Sequence, residues 1–574
     1  MQAITVAIGP TGIDYFARQL LVGDLLKALD SLKPPDRLMG VPSFPVHGHG
    51  WSADYSNITI NLSNGSLSNF SPVFQSIAQQ AGGKFLLNLL SSNFTTNYSW
   101  YETYHEVFCT SSDRGPICND LNNKGTYSYS PSVGKLTTSV VLAFVYNAGT
   151  KGYDVNVLSS SGNAENISPN IPARSVIQNE DHGCFTSQVS DTTAKAVSSI
   201  DFSGPLAQVI PPMLRSIPGS GHLTSDIVYD FGLGDSGLNF PGDSGLQIGV
   251  TGNVTYKGTP YPGTPPTALP LPPVPTDHHL QTYVSDYELN ALHWAYFQAG
   301  LLDTTVNPSD LPNPDVLKVK TYVTAIPAFK PYASYAMQAH IVPRQPPTIT
   351  SQQVYIFSTT AKSLLQQQLP ASVYQQITGL EGNVYVSQAD LESDLAGAEV
   401  AQGYYATIEK ATLAVGMVVA HDLQFTLTIQ NGAPPQQQPN LVFDLVRTDV
   451  LQDLGLGISG TAQTLQYAFT PVKYAATFVS TTVPGFDKRS FGDLIWPVVG
   501  EQGYDKTLQE MGKTGVPLPI MSGFQFLFND AQLSIQQGYV SILAKVQFKG
   551  TNWRAVLDQI MMQRVYPEAQ LQLV

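Results

Sequence analysis

Charge is what this sequence has least of. Asp, Glu, Lys and Arg make up 13% of its 574 residues, about half the usual share in a globular protein. The balance is acidic, with a formal net charge of −14. That argues against nucleic acid as a partner and against strong binding to an anionic membrane. No Lys or Arg occurs between Arg37 and Lys84, or between Lys84 and Arg114. No run of 18 apolar residues is present to span a bilayer as a helix. Cysteine is nearly as scarce, with Cys109, Cys118 and Cys184 only. Cys109 and Cys118 bound the loop CTSSDRGPIC and are the easiest pair to close, contributing about 2–3 kcal/mol in the chain-entropy model. Cys184 is then left over. His47 and His49 lie two apart and can share a strand face, but no third ligand accompanies them, so no metal or other cofactor is expected.

Against these absences stand 43% hydrophobic residues, enough for two or three sizeable cores. Proline is abundant and concentrated. In Lys257–Thr276, KGTPYPGTPPTALPLPPVPT, eight of the sixteen residues from Pro260 to Pro275 are proline. Proline fixes φ and removes a backbone donor, so this run reads as an extended connector. It divides the chain into residues 1–256, a linker at 257–276 and residues 277–574.

The two outer parts open alike. Ile4-Thr5-Val6-Ala7-Ile8 reads as a strand. Thr11-Gly12-Ile13-Asp14 then has capping-box spacing before a helix expected to reach Asp30. Leu280–Val284 is again a short strand, and Ser285-Asp286-Tyr287-Glu288 a capping box before a helix to Ala299. Short alternating segments follow in each part. In the first they are Ser56–Leu62, Lys84–Leu90, Leu136–Tyr146 and Gly152–Leu158, then a helical pattern over Cys184–Leu214 that Pro205 and Pro211 are expected to break or kink. In the second they are Leu317–Thr324, Tyr332–Ile341, Gln353–Phe357, Tyr404–Val419, Leu423–Ile429, Thr464–Phe469 and Tyr474–Ser480. A helix over Asp487–Met511 interrupted at Pro497, two closing strands and a final helix over Asn552–Val565 complete the pattern.

Asn-X-Ser/Thr occurs at Asn57, Asn61, Asn64, Asn69, Asn93, Asn97, Asn166 and Asn253, always before the linker. The crowding between Asn57 and Asn69 predicts an N-glycosylated, secreted protein. A strand begins almost directly after Met1, so a leader is expected to be missing from this numbering. Gly-Asp-Ser-Gly at Gly234–Gly237 and Gly242–Gly245 resembles the nucleophile loop of trypsin-like proteases. The His and Asp contexts of such a site are missing, and the tetrapeptide reads as turn chemistry. No nucleophile–base set stands out, and no enzyme activity is expected.

Four stretches together carry a resemblance: ITVAIGPTGIDYFARQLL, PVHGHGWSADYSNITI, HHLQTYVSDYELNALHWAYFQAGLL and GVPLPIMSGFQFLFNDAQLSIQQGYVSILAKV. They resemble the family of bactericidal/permeability-increasing protein, lipopolysaccharide-binding protein and cholesteryl ester transfer protein. The resemblance implies an α+β fold. Two barrels of curled antiparallel sheet each wrap a long helix, joined by a proline-rich linker and a shared central sheet. It implies a secreted protein that binds or transfers phospholipid-like molecules in an apolar slot of each barrel, lined by Ile13, Phe16, Leu20, Leu289, Leu292 and Tyr296. The disulfide of that family is not expected, because no cysteine lies close upstream of Cys184. The basic tip of its endotoxin-binding members is also missing. The alternative is a structural subunit of an extracellular assembly, with lipid as core filler.

Overall fold

Ile4–Ile8 is buried at all five positions because it lies inside a six-stranded antiparallel sheet at the centre of the molecule. This is seen in a computed structural model. It describes the chain except residues 1–2, 22–31, 81–83, 148–151, 180–183, 208–219, 240–244, 267–273, 431–438, 460–461, 487–494, 497, 501–502, 520–523 and 549–574. The central sheet runs Leu233–Asn239, Leu246–Val250, Ile4–Ile8, Leu280–Ser285, Tyr539–Ala544, Gln532–Gln536. Its two middle strands are the opening strands of the two parts, paired antiparallel with Val6 opposite Thr282. The strand–helix units Ile4–Leu21 and Leu280–Gln298 therefore face each other across a local two-fold. The first helix, Pro10–Leu21, begins with proline, whose fixed φ suits that position. A Cβ on Gly12 would lie 1.9 Å from the His279 carbonyl oxygen, so only glycine lets this helix start so close to the second unit. The helix to Asp30 is observed as far as Leu21, and 22–31 lies outside the described residues.

On one side lies a curled sheet in the order Arg37–Val41, Trp51–Ser68, Lys84–Thr110, Ser132–Asn147, Gly152–Ser168. Its strands are far longer than the short segments expected. Lys84–Thr110 has 27 residues, about 90 Å at the usual rise. Ser132–Asn147 pairs along its first part and Ile117–Tyr129 along its second. The Asn and Ser residues read as punctuation lie inside continuous strands. Asn57, Asn64, Asn69, Asn93 and Asn166 all have left-handed φ, between 49° and 59°. The ladder slips by one residue around Asn57 and again around Asn64. Asparagine tolerates this conformation better than other residues with a side chain, and bulges of this kind bend a strand. Five of the eight sequon asparagines thus have a backbone reason to be asparagine.

The other side carries a second curled sheet, Thr304–Val306, Ala336–Pro343, Leu413–Gln430, Asn440–Ser459, Ala462–Thr481, Val516–Pro517. Thr348–Ile356 pairs with the first part of Leu413–Gln430 and Ala336–Pro343 with the second. Several expectations fail here. Residues 317–324 form 3-10 turns rather than a strand. Between Ile356 and Leu413 the chain forms four helices, Thr359–Gln368, Ala371–Ile377, Gln388–Gly397 and Tyr405–Thr412, where residues 404–412 were expected to be extended. Ser358 and Ser387 cap two of them through Ala361 N and Asp390 N. The four enclose a small core of their own around Leu365, Leu369, Leu391, Leu395 and Ile408.

The helix Cys184–Ser198 is followed by a short break and helical residues 203–207, with 208–214 outside the described residues. Of the range 487–511, residues 495–496, 498–500 and 504–511 are helical, while 487–494, 497 and 501–502 lie outside the described residues. The final helix over 552–565 lies outside the described residues. The linker also begins later than its composition implies. Asn253–Tyr256 and Thr259–Pro260 form a hairpin whose two turn residues, Lys257 and Gly258, have positive φ, the two-residue turn that matches strand twist.

Candidate functional site

The strongest candidate is the apolar interior that the two opening helices enter. Phe16 is buried and meets Phe524 edge to face at 4.5 Å. Ile13 is half-buried against the same core. Leu20 belongs to the helix, but its side chain lies outside the described residues. In the second unit Leu289 and Leu292 are each 1% exposed and Tyr296 is 7% exposed. These three are enclosed by side chains in a core that continues without interruption from one sheet to the other.

The helix Asp286–Gln298 is buried almost all round, as an interior helix should be, and three elements hold it. Asp286 accepts from Ser351 N at 2.6 Å and Ser351 Oγ at 2.5 Å. One turn on, Asn290 accepts from Ile349 N at 2.7 Å and donates to Ile349 O at 2.8 Å. The two side chains thereby cap the free edge of Thr348–Ile356. On a second side the proline-rich connector starts by laying Tyr261 on Tyr287 and Trp294. On a third, His293 faces Tyr467 and Phe469. Burial pushes the His293 imidazole down to about 4, so it is neutral and its Nδ1–H donates to Leu289 O at 2.8 Å. Burial likewise pushes the Tyr296 hydroxyl up to about 12.

The first sheet is closed less completely. Phe85, Leu87 and Leu142 point inward and are buried. Ile77 is paired with Leu87, Val157 with Leu142, and Phe144 lies two residues beyond Leu142. These three therefore share the inward face, since strand side chains repeat every second residue. Yet all three stay half-exposed while packing against the core. Phe144 meets Phe85 edge to face at 5.3 Å. An inward row of large apolar side chains that protein atoms leave half-covered can take up an acyl chain.

The second sheet encloses a network of paired charges. His421 Nε2 lies 2.9 Å from Asp449 Oδ2, and its Nδ1 3.1 Å from the Tyr504 hydroxyl. Arg447 donates from Nε and Nη2 to Asp449 at 2.8–3.0 Å and from Nη1 to Asp505. Its guanidinium also stacks near Trp496 and Tyr504. Burial pushes the Asp449 carboxyl up, but His421 and Arg447 outweigh it and hold the group below the usual carboxylate range. The network ties two neighbouring strands to the helix Tyr504–Thr514. Sequence reading missed it, because its members meet only through strand register and a contact 58 residues apart.

Two open grooves, of about 440 and 490 Å³, meet at Val386, between the second and third helices of the insertion. The first is lined by Asn383, Asp390, Asp394 and Lys473, with Lys473 paired to Asp390 at 2.7 Å. The second is lined by four glutamines among others. Neither includes any of the six slot residues. At the far end of the first sheet Cys109 and Cys118 form a disulfide directly across a strand pair. Gly234–Gly237 falls on the edge strand of the central sheet. Among the described residues no helix is long and apolar enough to cross a membrane, and His47 and His49 join no metal-binding cluster.

No family model and no curated protein matches the sequence. Among solved structures, the chain is similar over 96% of its length to 100% of a lipopolysaccharide binding protein, with a TM-score of 0.48 and 14% identity. It is similar over 95% of its length to 97% of P47 from Clostridium botulinum A2, with a TM-score of 0.23 and 7% identity. Takeout 1 of Epiphyas postvittana matches 35% of the chain with 78% of its own, at a TM-score of 0.16 and 11% identity.

Proposed function

We propose that this protein is a secreted lipid-binding protein that holds a phospholipid-like molecule by its acyl chains and does no covalent chemistry on it. The observation that carries the reading is the set of inward-facing side chains Ile77, Phe144 and Val157, which stay partly exposed within the first sheet. Covering it with an acyl chain contributes roughly 0.8 kcal/mol for each CH₂ removed from water. The headgroup stays at the rim, and with a formal net charge of −14 on the chain a zwitterionic or neutral lipid suits the site better than a polyanion. The cross-strand disulfide and the exposed sequons at Asn57, Asn64, Asn69, Asn93 and Asn166 support an oxidising, extracellular setting. In the second unit Leu289, Leu292 and Tyr296 serve as core.

Organic extraction of the folded protein, followed by mass spectrometry, is expected to release phospholipid-like molecules. A Phe144→Asp, Val157→Asp double variant that keeps its circular dichroism spectrum is expected to retain less than half as much. Extracts without lipid, or equal lipid in the variant, would rule this reading out.

A further inference from the structure

The outer face of the first sheet brings together three side chains whose positions in the chain gave no hint of one another. Ser56, His105 and Asp120 lie on three neighbouring strands, Trp51–Ser68, Lys84–Thr110 and Ile117–Tyr129. Ser56 is directly opposite His105 in the ladder. Asp120 is opposite Val107, two residues along from His105 and so on the same face. Ser56 Oγ is 3.2 Å from His105 Nδ1, and His105 Nε2 is hydrogen-bonded to Asp120 Oδ1. The imidazole is 26% exposed, so the chain of hydrogen bonds opens to solvent. A nucleophile, a base within reach of it, and a third group fixing the base are the three parts of an activated serine.

The backbone next to the serine is also unusual. The ladder passes from the Ser56–His105 pair to the Thr59–Thr103 pair with a slip between them. Asn57 has left-handed φ, is exposed, and has no register partner on any flanking strand. The strand therefore bends directly after Ser56. Bulges recur beside active sites because they re-aim side chains in this way.

We propose that Ser56, His105 and Asp120 form a hydrolytic site for carboxylic esters, with Ser56 the catalytic nucleophile, His105 the base and Asp120 a positioning residue. With Nε2–H donated to Asp120, the His105 Nδ1 lone pair faces the Ser56 hydroxyl. Ser56 Oγ attacks the ester carbonyl carbon and its proton passes to Nδ1. The C–O bond to the alcohol breaks, and that proton leaves with the alcohol. Water then attacks the acyl-serine, again giving a proton to Nδ1, which returns it to Ser56 as the carboxylic acid departs. The ring is used in the opposite sense to the usual serine triad, where Nε2 serves the serine. Balance requires only that its two nitrogens face the two partners. The face is open and polar, with Thr59 and Thr103 hydroxyls 2.6 Å apart beside it. It has no acyl pocket, so small esters with good leaving groups suit it. The site is on the opposite face from the lipid row and does not depend on it.

The test uses the full chain made in a host that does not glycosylate, since Asn57 adjoins the serine. An alkyl fluorophosphonate is added to folded protein and the modified residue is mapped by mass spectrometry. Ser56 is expected to be labelled ahead of Ser52 and Ser66 on the same strand. His105→Gln is expected to slow labelling about 100-fold or more, the scale of general-base assistance. Asp120→Asn should slow it by less, with Asp120→Glu partly restoring it. Ser56→Ala should bring hydrolysis of p-nitrophenyl acetate down to the uncatalysed background without changing thermal unfolding. Labelling of Ser56 at the rate of its neighbours, or unaffected by His105→Gln, would overturn the proposal. So would p-nitrophenyl acetate hydrolysis that is unchanged in Ser56→Ala.

Discussion

The two curled sheets share one plan, a long central strand served by two shorter ones on one edge, yet they are closed by opposite means. The first is packed with apolar and aromatic side chains, holds its buried Glu102 with neutral donors from Trp100, Ser175 and Val176 rather than with a cation, and leaves part of its apolar surface partly exposed. The second is sealed by the helix Tyr504–Thr514, docked through the buried His421–Asp449–Arg447–Asp505 chain. Apolar packing is non-directional and tolerates a guest molecule. A buried ion network fixes one geometry and punishes any change to it. Under the proposed function, guest binding falls to the first sheet and rigidity to the second.

The largest expected effect follows from that network. Arg447→Met leaves Asp449 and Asp505 without their cation and is expected to cost about 3–5 kcal/mol in denaturant unfolding. Replacing Arg447 and Asp449 together by apolar residues should recover part of the loss, because the uncompensated charge is gone. Lipid released from the folded Arg447→Met protein should stay unchanged. If it falls in step with stability, the two sheets do not divide the work as described.

The division itself was only half visible in the sequence. Both opening units were legible, because β-branched strands and capping boxes act locally. The connector was legible because proline restricts the backbone wherever it sits. The length of the strands was not. Asn64-Gly65 looks like a turn, but in a strand that must curl it serves as a bulge. The helices at 359–412 were hidden because their exposed faces are glutamine and serine, leaving a thin apolar stripe. The ion network and the Ser56–His105–Asp120 chain were invisible because each depends on strand register, which composition does not encode.

A second prediction concerns pH. Glu288 sits in the first turn of the second opening helix, 1% exposed, with Oε2 unbonded beside Ala3 and Gly252. Burial pushes its carboxyl well above the ordinary glutamate range. A folded pKa above the unfolded one means a stabilising contribution that is complete in acid and lost as pH rises through the raised value. Asp449 runs the other way. Its folded value is depressed, so its contribution is present above the ordinary aspartate range and lost as pH falls through the depressed value. Glu288→Gln should therefore match the wild type in mild acid and exceed it by about 1–3 kcal/mol at alkaline pH, the scale of an unmet buried polar group. An equal difference at both pH values would show that Glu288 is not protonated in the fold.

The smallest effect separates backbone from glycan as the reason for the asparagines. Asn93, Gly134 and Asn166 fall in line across three strands, and a Cβ on Gly134 would lie 2.7 Å from the Asn166 Cβ. The line is a crease that needs left-handed backbone at Asn93 and Asn166. Asn61 also begins a sequon but has no positive φ, so it is the control. In protein made without glycans, Asn93→Gly should unfold within about 0.5 kcal/mol of wild type, since glycine accepts this backbone freely. Asn93→Val should lose about 1–2 kcal/mol, the cost of forcing a β-branched residue into it. Asn61→Val should change little or gain slightly, because valine suits an ordinary strand position. If the valine variants at 93 and 61 behave alike, the asparagines are not there for the crease. Glycosylation would then be the better account of their clustering.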